Sequence, residues 1–404
     1  MSTSPKNRMR VLVVGAGYAG ATAAVRLAGR SRGRVEVTVV NPRPTFVNRL
    51  RLHHLAVGRR VPAPDLAELL GRGVTFVEGY VTDLDPDAGR ARISGPDGMR
   101  EVSFDRVVLA TGSTTEPVPV PGGDHVHAVG DLESAHRLRA AFAALPEGAD
   151  AAVVGGGLTG LETVGELAET RPDVRVRLVT AGEVAAWFTP RAADYVRRTL
   201  AGLNVETLGD THVLAVEPDR LLLADGAELP SALTVWCGGF AAPPLARESG
   251  IAVDAQGAVI TDATLRSLSH PTVLAVGDSG HTPGPGGDRY SMSCQFAFPS
   301  AMHAANLLRA EALDLEPRPG RSAFNLSFTA RCVSLGGHNA VLQKTDHDDV
   351  ATGRAWTGRT ARLVKAIQVR GVVTNIAVER RIPGVIGWPH ADPATRPAAQ
   401  PLPG

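Results

Sequence analysis

A six-residue glycine pattern occurs twice in this chain, each time between a β-branched run and the start of an apolar helix pattern. Val11–Val14 predicts a strand, Gly15-Ala16-Gly17-Tyr18-Ala19-Gly20 a tight turn, and Ala21–Ala28 a helix, with a second strand at Val35–Val40. The arrangement recurs with Ala151–Val154, Gly155-Gly156-Gly157-Leu158-Thr159-Gly160, a helix through Leu161–Ala168 and a strand at Val174–Val179, 140 residues further on. A strand, glycine turn and helix of this length form the βαβ unit that binds dinucleotides. The first glycine permits the turn, the second leaves room for a pyrophosphate at the backbone, and the third lets helix and strand pack closely. The helix N-terminus then faces the phosphates. One such pattern is weak because glycine turns are common; two, each correctly flanked, constrain the fold to α/β.

The rest of the chain arranges itself around these units. Phe104–Ser113 reads as a buried strand ending in the small-residue turn Ala110-Thr111-Gly112, and Leu233–Phe240 as a similar strand ending in Gly238-Gly239. An apolar strand within Thr272–Gly280 ends in Gly277-Asp278, and a helix follows from Cys294 to Leu308. From Phe324 the pattern changes to strands at Phe324–Val333 and Asn339–Gln343 and a helix at Thr360–Ala377. The implied order is a first dinucleotide-binding part at residues 9–120, a second dinucleotide-binding domain inserted at 121–262, the remainder of the first at 263–320, and a small α+β unit at 321–388. Residues 389–404, with prolines at 389, 393, 397, 401 and 403, read as a disordered tail.

Composition narrows the function classes. The 404 residues are 44% apolar and 21% charged, as expected of folded domains. Lys+Arg 42 against Asp+Glu 41 leaves no overall field to hold nucleic acid. No run of 18 apolar residues is present to span a bilayer, and the N-terminus lacks an apolar signal core, which predicts a cytoplasmic protein. Cys237, Cys294 and Cys332 form neither a C-x-x-C dithiol nor a metal-ligand spacing, so no bound metal is expected.

With both fingerprints, the Ala110-Thr111-Gly112 turn and the Gly277-Asp278 pair in this order, the sequence resembles the FAD-dependent pyridine nucleotide oxidoreductases over about residues 9 to 380. Within them it is similar to the type II NADH dehydrogenases and the apoptosis-inducing-factor-like reductases. The resemblance implies two Rossmann-like domains, one for FAD and one for NADH or NADPH. It assigns Gly15, Gly17, Tyr18, Ala19, Gly20, Asn41, Thr111, Gly112, Gly277, Asp278 and Gln295 to the FAD side. Gly155, Gly157, Gly160, Thr180 and Gly239 fall to the nicotinamide cofactor. The helix from Cys294 would aim its positive end at the flavin.

Three departures bear on chemistry. Asn41, 26 residues after Gly15, stands where an acid would grip the adenosine ribose, and an amide can still bond both hydroxyls. Thr180, 25 residues after Gly155, offers neither an acid for the NAD ribose nor an arginine for an NADP phosphate. The quinone motif A-Q-x-A-x-Q is met here by Cys294-Gln295-Phe296-Ala297-Phe298-Pro299, which keeps Gln295 and Ala297 and loses the second glutamine.

The resemblance also places Glu162 beside the nicotinamide, against the plainer reading of a helix N-terminal acid. It runs Phe46–Leu55 past the flavin, where His53 or His54 is a candidate proton donor because histidine titrates near neutrality. The resemblance implies that hydride passes from NAD(P)H to FAD, and the absence of a dithiol favours a quinone or small aromatic acceptor. Two other classes stay open: a flavin-dependent tailoring oxidase or dehydrogenase with a vestigial second domain, and a non-catalytic redox-sensing interaction protein. In the helix near residues 358–381, Arg362 and Lys365 interrupt the apolar stripe Val369, Val372, Val373, Ile376, so a core-facing helix is expected over a membrane anchor, with peripheral membrane contact and oligomeric state left open.

Overall fold

The computed structural model describes residues 8–284, 289–316 and 322–391. Two parallel five-stranded sheets form its centre. The first has the spatial order Val273–Ala275, Arg106–Leu109, Met9–Val14, Val35–Asn41 and Thr75–Glu78. The second runs Glu206–Leu208, Arg175–Val179, Asp150–Val154, Leu233–Trp236 and Val126–His127. Both place the strand that enters the glycine turn at the middle, as a doubly wound sheet requires. Met9–Val14, Arg106–Leu109, Asp150–Val154 and Val273–Ala275 carry buried runs of Val, Leu and Ala, as strands covered on both faces do, whereas Val35–Asn41 and Arg175–Val179 alternate with polar residues.

The chain leaves the first sheet at Leu109, builds the second, and returns to add Val273–Ala275 beside Arg106–Leu109. Helix Cys294–Ala312 then packs on helix Tyr18–Arg30 through Ala301, Ala304 and Ala305 on one side and Ala19, Ala23 and Ala24 on the other. Small residues there let the helix axes approach closely.

The C-terminal unit is a three-stranded antiparallel sheet, Ala330–Leu335, Asn339–Thr345 and Ala351–Thr357, followed by helix Gly358–Arg381. The third strand was not legible in the sequence, and Phe324–Thr329, expected as strand, is irregular chain whose phenylalanines fill the first core. The unit joins both cores: Val372 and Ile376 pack beside the first sheet, Val333, Leu335 and Val341 beside the second. The helix does lay Val369, Val372 and Ile376 on the protein's own core. Lys365, however, is buried on that same face, so it continues the inward side and does not interrupt it. A second, exposed stripe of Leu363, Val364 and Ile367 lies outside it.

Residues 389–391 also depart from expectation. Ser327 N–H donates to the Pro389 carbonyl at 3.1 Å, Asn325 bonds Ala391 at 2.8 Å, and Ala391 is buried. The expected tail beyond them, 392–404, lies outside the described residues. Among the described residues no helix is long and apolar enough to cross a membrane.

Candidate active site

Each glycine turn has the geometry its sequence implies. Gly15 and Gly155 hold φ of 98° and 117°, a region that favours glycine. A Cβ on Gly20 would collide with the Gly15 carbonyl, and one on Gly160 with the Gly155 carbonyl. At Gly17 and Gly157 the same test meets nothing within 4 Å, so each middle glycine borders open space.

In the first fold that space is a cavity of about 640 Å³ running from Asn41 and Arg43 past Gly15, Gly17 and Tyr18 to Thr111, Gly112, Asp278 and Cys294. Its shape suits a long ligand with a pyrophosphate over Gly17. Tyr18 is fixed at its edge, its hydroxyl donating to Asn48 at 2.8 Å and accepting from Leu50 N–H at 2.9 Å, and burial raises its pKa. At the far end Ser113 donates to Asp278 at 2.6 Å, and Ser279 accepts from Gly112 N–H at 2.9 Å, tying the Thr111-Gly112 turn to the Gly277-Asp278 turn. The N-terminal turn of helix Cys294–Ala312 opens on the cavity, capped by Ser293, which accepts from Phe296 N–H at 3.3 Å.

Asn41 is already in use: its Oδ1 accepts from Ala16 N–H at 2.9 Å and its Nδ2 donates to Arg43 O at 2.9 Å. An amide has one further lone pair and one further hydrogen for a ribose. Thr180 is buried against Gly156 at the end of Arg175–Val179. Glu183, three residues further on, pairs with Arg197 at 2.9 Å. Gly239 lies in the turn after Leu233–Trp236, its carbonyl accepting from Glu116 N–H at 3.2 Å. Gln295 is half-buried on the first turn of its helix, outside the residues that line the cavity.

Glu162 does not line that cavity either. It is buried on helix Leu158–Thr170 and turned toward the C-terminal unit, where Lys365 Nζ lies 2.8 Å away and Ser334 donates from both N–H and Oγ at 3.0 Å. Burial pushes its carboxyl up, but Lys365 and His53 outweigh burial and bring it to about 2. Burial in turn lowers the Lys365 ammonium and Glu162 more than restores it, so both partners are charged. This pairing is invisible in the sequence. The signal available was Lys365 itself, one of three lysines in an arginine-rich chain, at helical spacing from Val369 and Val372.

His53 and His54 occupy a short helix, Leu52–Ala56, packed behind Glu162. His53 Nδ1 is 3.9 Å from Glu162 Oε2, and burial lowers His53 to about 4, so it is neutral near pH 7. His54 Nε2 is 3.4 Å from Glu166, whose other oxygen pairs with Arg59 at 2.9 Å. Donor atoms of His53, His54 and Glu166 lie within 4.8 Å of one another, but the Arg59 guanidinium supplies the counter-charge that a cation would. Cys237 and Cys332 are raised by burial to about 12 and about 11, and burial raises Cys294 as well, so the three free thiols stay protonated.

Comparison with known proteins agrees with this architecture. The profile of the family described as Pyridine nucleotide-disulphide oxidoreductase matches residues 9–301. An NADH dehydrogenase-like protein of Mycobacterium tuberculosis is 32% identical over 358 residues, 82% of this chain and 87% of its own length. A type II NADH:quinone oxidoreductase of Staphylococcus haemolyticus is 25% identical over 90% of this chain and 94% of its own. The fold superposes on the solved structure of NDH2 from Plasmodium falciparum in complex with NADH with a TM-score of 0.76, at 15% identity, covering 93% and 98% of the two chains.

Proposed function

This chain belongs to the pyridine nucleotide-disulphide oxidoreductase family, an enzyme class working with FAD and NAD(H), and from that premise we propose that it is an NADH:quinone oxidoreductase. FAD occupies the cavity of the first fold, held by Gly15, Gly17, Asn41, Thr111, Gly112 and Asp278, and supplies the two-electron chemistry. The second fold presents NADH over Gly155, Gly157 and Gly160. The observation that carries the choice of acceptor is the charged Glu162–Lys365 pair, 2.8 Å apart and buried. It is a proton-bearing pair close enough to Cys294 for its charge to act on that thiol, and the three thiols here are protonated and form no disulfide.

The residues divide the work. Tyr18 and the Cys294 helix bound the flavin end of the cavity and keep water from it. Ser113 and Asp278 fix the turn beneath, and the capped helix N-terminus stabilises negative charge there. Lys365, an ammonium beside that helix, holds a proton in reserve for a quinone carbonyl, and Glu162 keeps the ammonium charged at neutral pH. The type II NADH:quinone oxidoreductase of S. haemolyticus supports this reading by its name. A cytoplasmic location goes with it. The second domain is taken as functional, not vestigial, because the space over Gly157 is as open as that over Gly17.

The test is direct. Purified protein should be yellow, and NADH added without oxygen should bleach the flavin band within seconds. A colourless protein, or one whose band persists, contradicts the proposal.

A further inference from the structure

Among the described residues, three acids line the cavity of the first fold: Asp131, Glu133 and Asp278. Two of them are committed to the protein. Asp278 accepts from Ser113 at 2.6 Å at the far end, and Asp131 caps helix Leu132–Ala143, its oxygens accepting from Ser134 N–H at 2.8 Å and Ser134 Oγ at 2.7 Å. Glu133, on the first turn of that helix, is bonded differently. Arg43 donates to it from Nε at 3.1 Å and from Nη2, and both bonds end on the same oxygen, Oε1. A guanidinium that meets a carboxylate fork to fork uses both oxygens. Here Oε2 accepts no hydrogen bond from the described residues, and the side chain is 52% exposed at the cavity edge.

The pair joins two folds. Helix Leu132–Ala143 packs Leu138 and Phe142 into the core of the second, whereas Arg43 follows strand Val35–Asn41 of the first. Hydrogen bonds run unbroken from the first glycine turn to Glu133: Ala16 N–H donates to Asn41 Oδ1 at 2.9 Å, Asn41 Nδ2 to the Arg43 carbonyl at 2.9 Å, and the Arg43 side chain to Glu133. Glu133 is thereby held at the Asn41 end of the cavity, which Tyr80 and Val81 also line. A ribose brings two hydroxyl hydrogens to that end. Asn41 has one lone pair left, so one of the two finds no acceptor on it.

We infer that Glu133, reaching across from the second fold, accepts a hydrogen bond from the adenosine ribose of FAD and supplies the carboxylate that strand Val35–Asn41 lacks. Arg43 anchors it by Oε1 and leaves Oε2 for the hydroxyl. The inference rests on FAD lying in this cavity, and it makes the cofactor a bridge between the two folds.

The experiment exposes full-length holoenzyme to an excess of an equal mixture of FAD and an FAD analogue whose adenosine ribose lacks both hydroxyls. After exchange and gel filtration the retained flavins are separated and counted. Wild-type protein should prefer FAD by roughly a hundredfold, and Glu133→Ala by only about tenfold, the part left to Asn41. A variant that loses flavin overall but keeps the wild-type preference overturns the inference, because the ion pair then ties the folds together without touching the ribose. Equal retention of the two flavins by wild-type protein overturns it as well. Failure of the underlying placement reads differently: wild-type protein would then retain neither flavin, before any variant is made.

Discussion

The two glycine turns share one backbone and differ in what surrounds them. Gly15 and Gly155 have the same left-handed conformation, and the third glycine of each abuts the carbonyl of the first. Around the first, however, the structure closes a cavity with elements from residues 14 to 297; of the second turn only Thr159 reaches that cavity. Asn41 ties the first turn to its neighbour by two hydrogen bonds, whereas Thr180 makes no side-chain bond of that kind to the second. A cavity walled by many segments of the chain suits a resident cofactor. The difference therefore lies in the shell built around a shared device.

The largest expected effect breaks the first turn alone. Gly17 sits at φ −71°, which any residue adopts, so Gly17→Val leaves the backbone unstrained and fills only the open space beside it. FAD should be lost on purification, read as the absorbance ratio at 450 and 280 nm (about the usual flavin and protein bands); full retention would place the pyrophosphate elsewhere. Gly157→Val is the matching change in the second fold, at φ −71° as well. It should keep FAD and slow reduction by NADH by roughly a hundredfold, the loss of about 3 kcal/mol of binding. Rapid-mixing absorbance checks it, and equal rates would mark the second turn as vestigial.

Acid stability sharpens the contrast at the level of the shells. Burial lowers His53, behind the second fold, and His303, on the first fold's long helix, to about 4 from 6.5. Each is neutral when folded and binds a proton when unfolded between those values, so stability is present above pH 6.5 and is lost as pH falls toward 4. The slope is up to about 1.4 kcal/mol per pH unit for each histidine. Melting temperature should fall steadily from pH 7 to 5, and His303→Gln should flatten that fall. A melting temperature independent of pH across this window would contradict the burial argument.

The smallest effect concerns cofactor choice. Thr180 carries no charge, so NADH and NADPH should differ by no more than about tenfold, or 1.4 kcal/mol, in apparent affinity. Thr180→Glu should shift the balance toward NADH by repelling a 2′-phosphate, as measured by the ratio of kcat/KM values. A strong preference in the unaltered protein would show that another residue reads the ribose.

Much of the fold was legible because its signals are local. Strand, turn and helix around each fingerprint follow from contiguous residues, and their bounds moved by only a few positions. What escaped was set by distance or by weak pattern. The strand Ala351–Thr357 has mixed exposure on both faces and so no clean alternation. Glu162 was visible as an acid on a helix, but its partner Lys365 comes from the far end of the chain, and a lysine on an amphipathic helix reads as solvent-facing until a buried carboxylate is found opposite it. His53 and His54 were visible as a pair on a segment that the resemblance runs past the flavin, and neither lines the cavity of the first fold. Their burial, one against Glu162 and one against Glu166, depends on the packing of Leu52–Ala56 against helix Leu158–Thr170.

The most direct test of electron flow from NADH through the first fold to a quinone is a double-mixing experiment. Enzyme is first reduced by one equivalent of NADH without oxygen, then mixed with a water-soluble quinone while the flavin band is followed. The account predicts complete bleaching in the first step and full return of the band in the second, with one quinol formed per flavin. A band that bleaches but returns no faster with quinone than with buffer would contradict it.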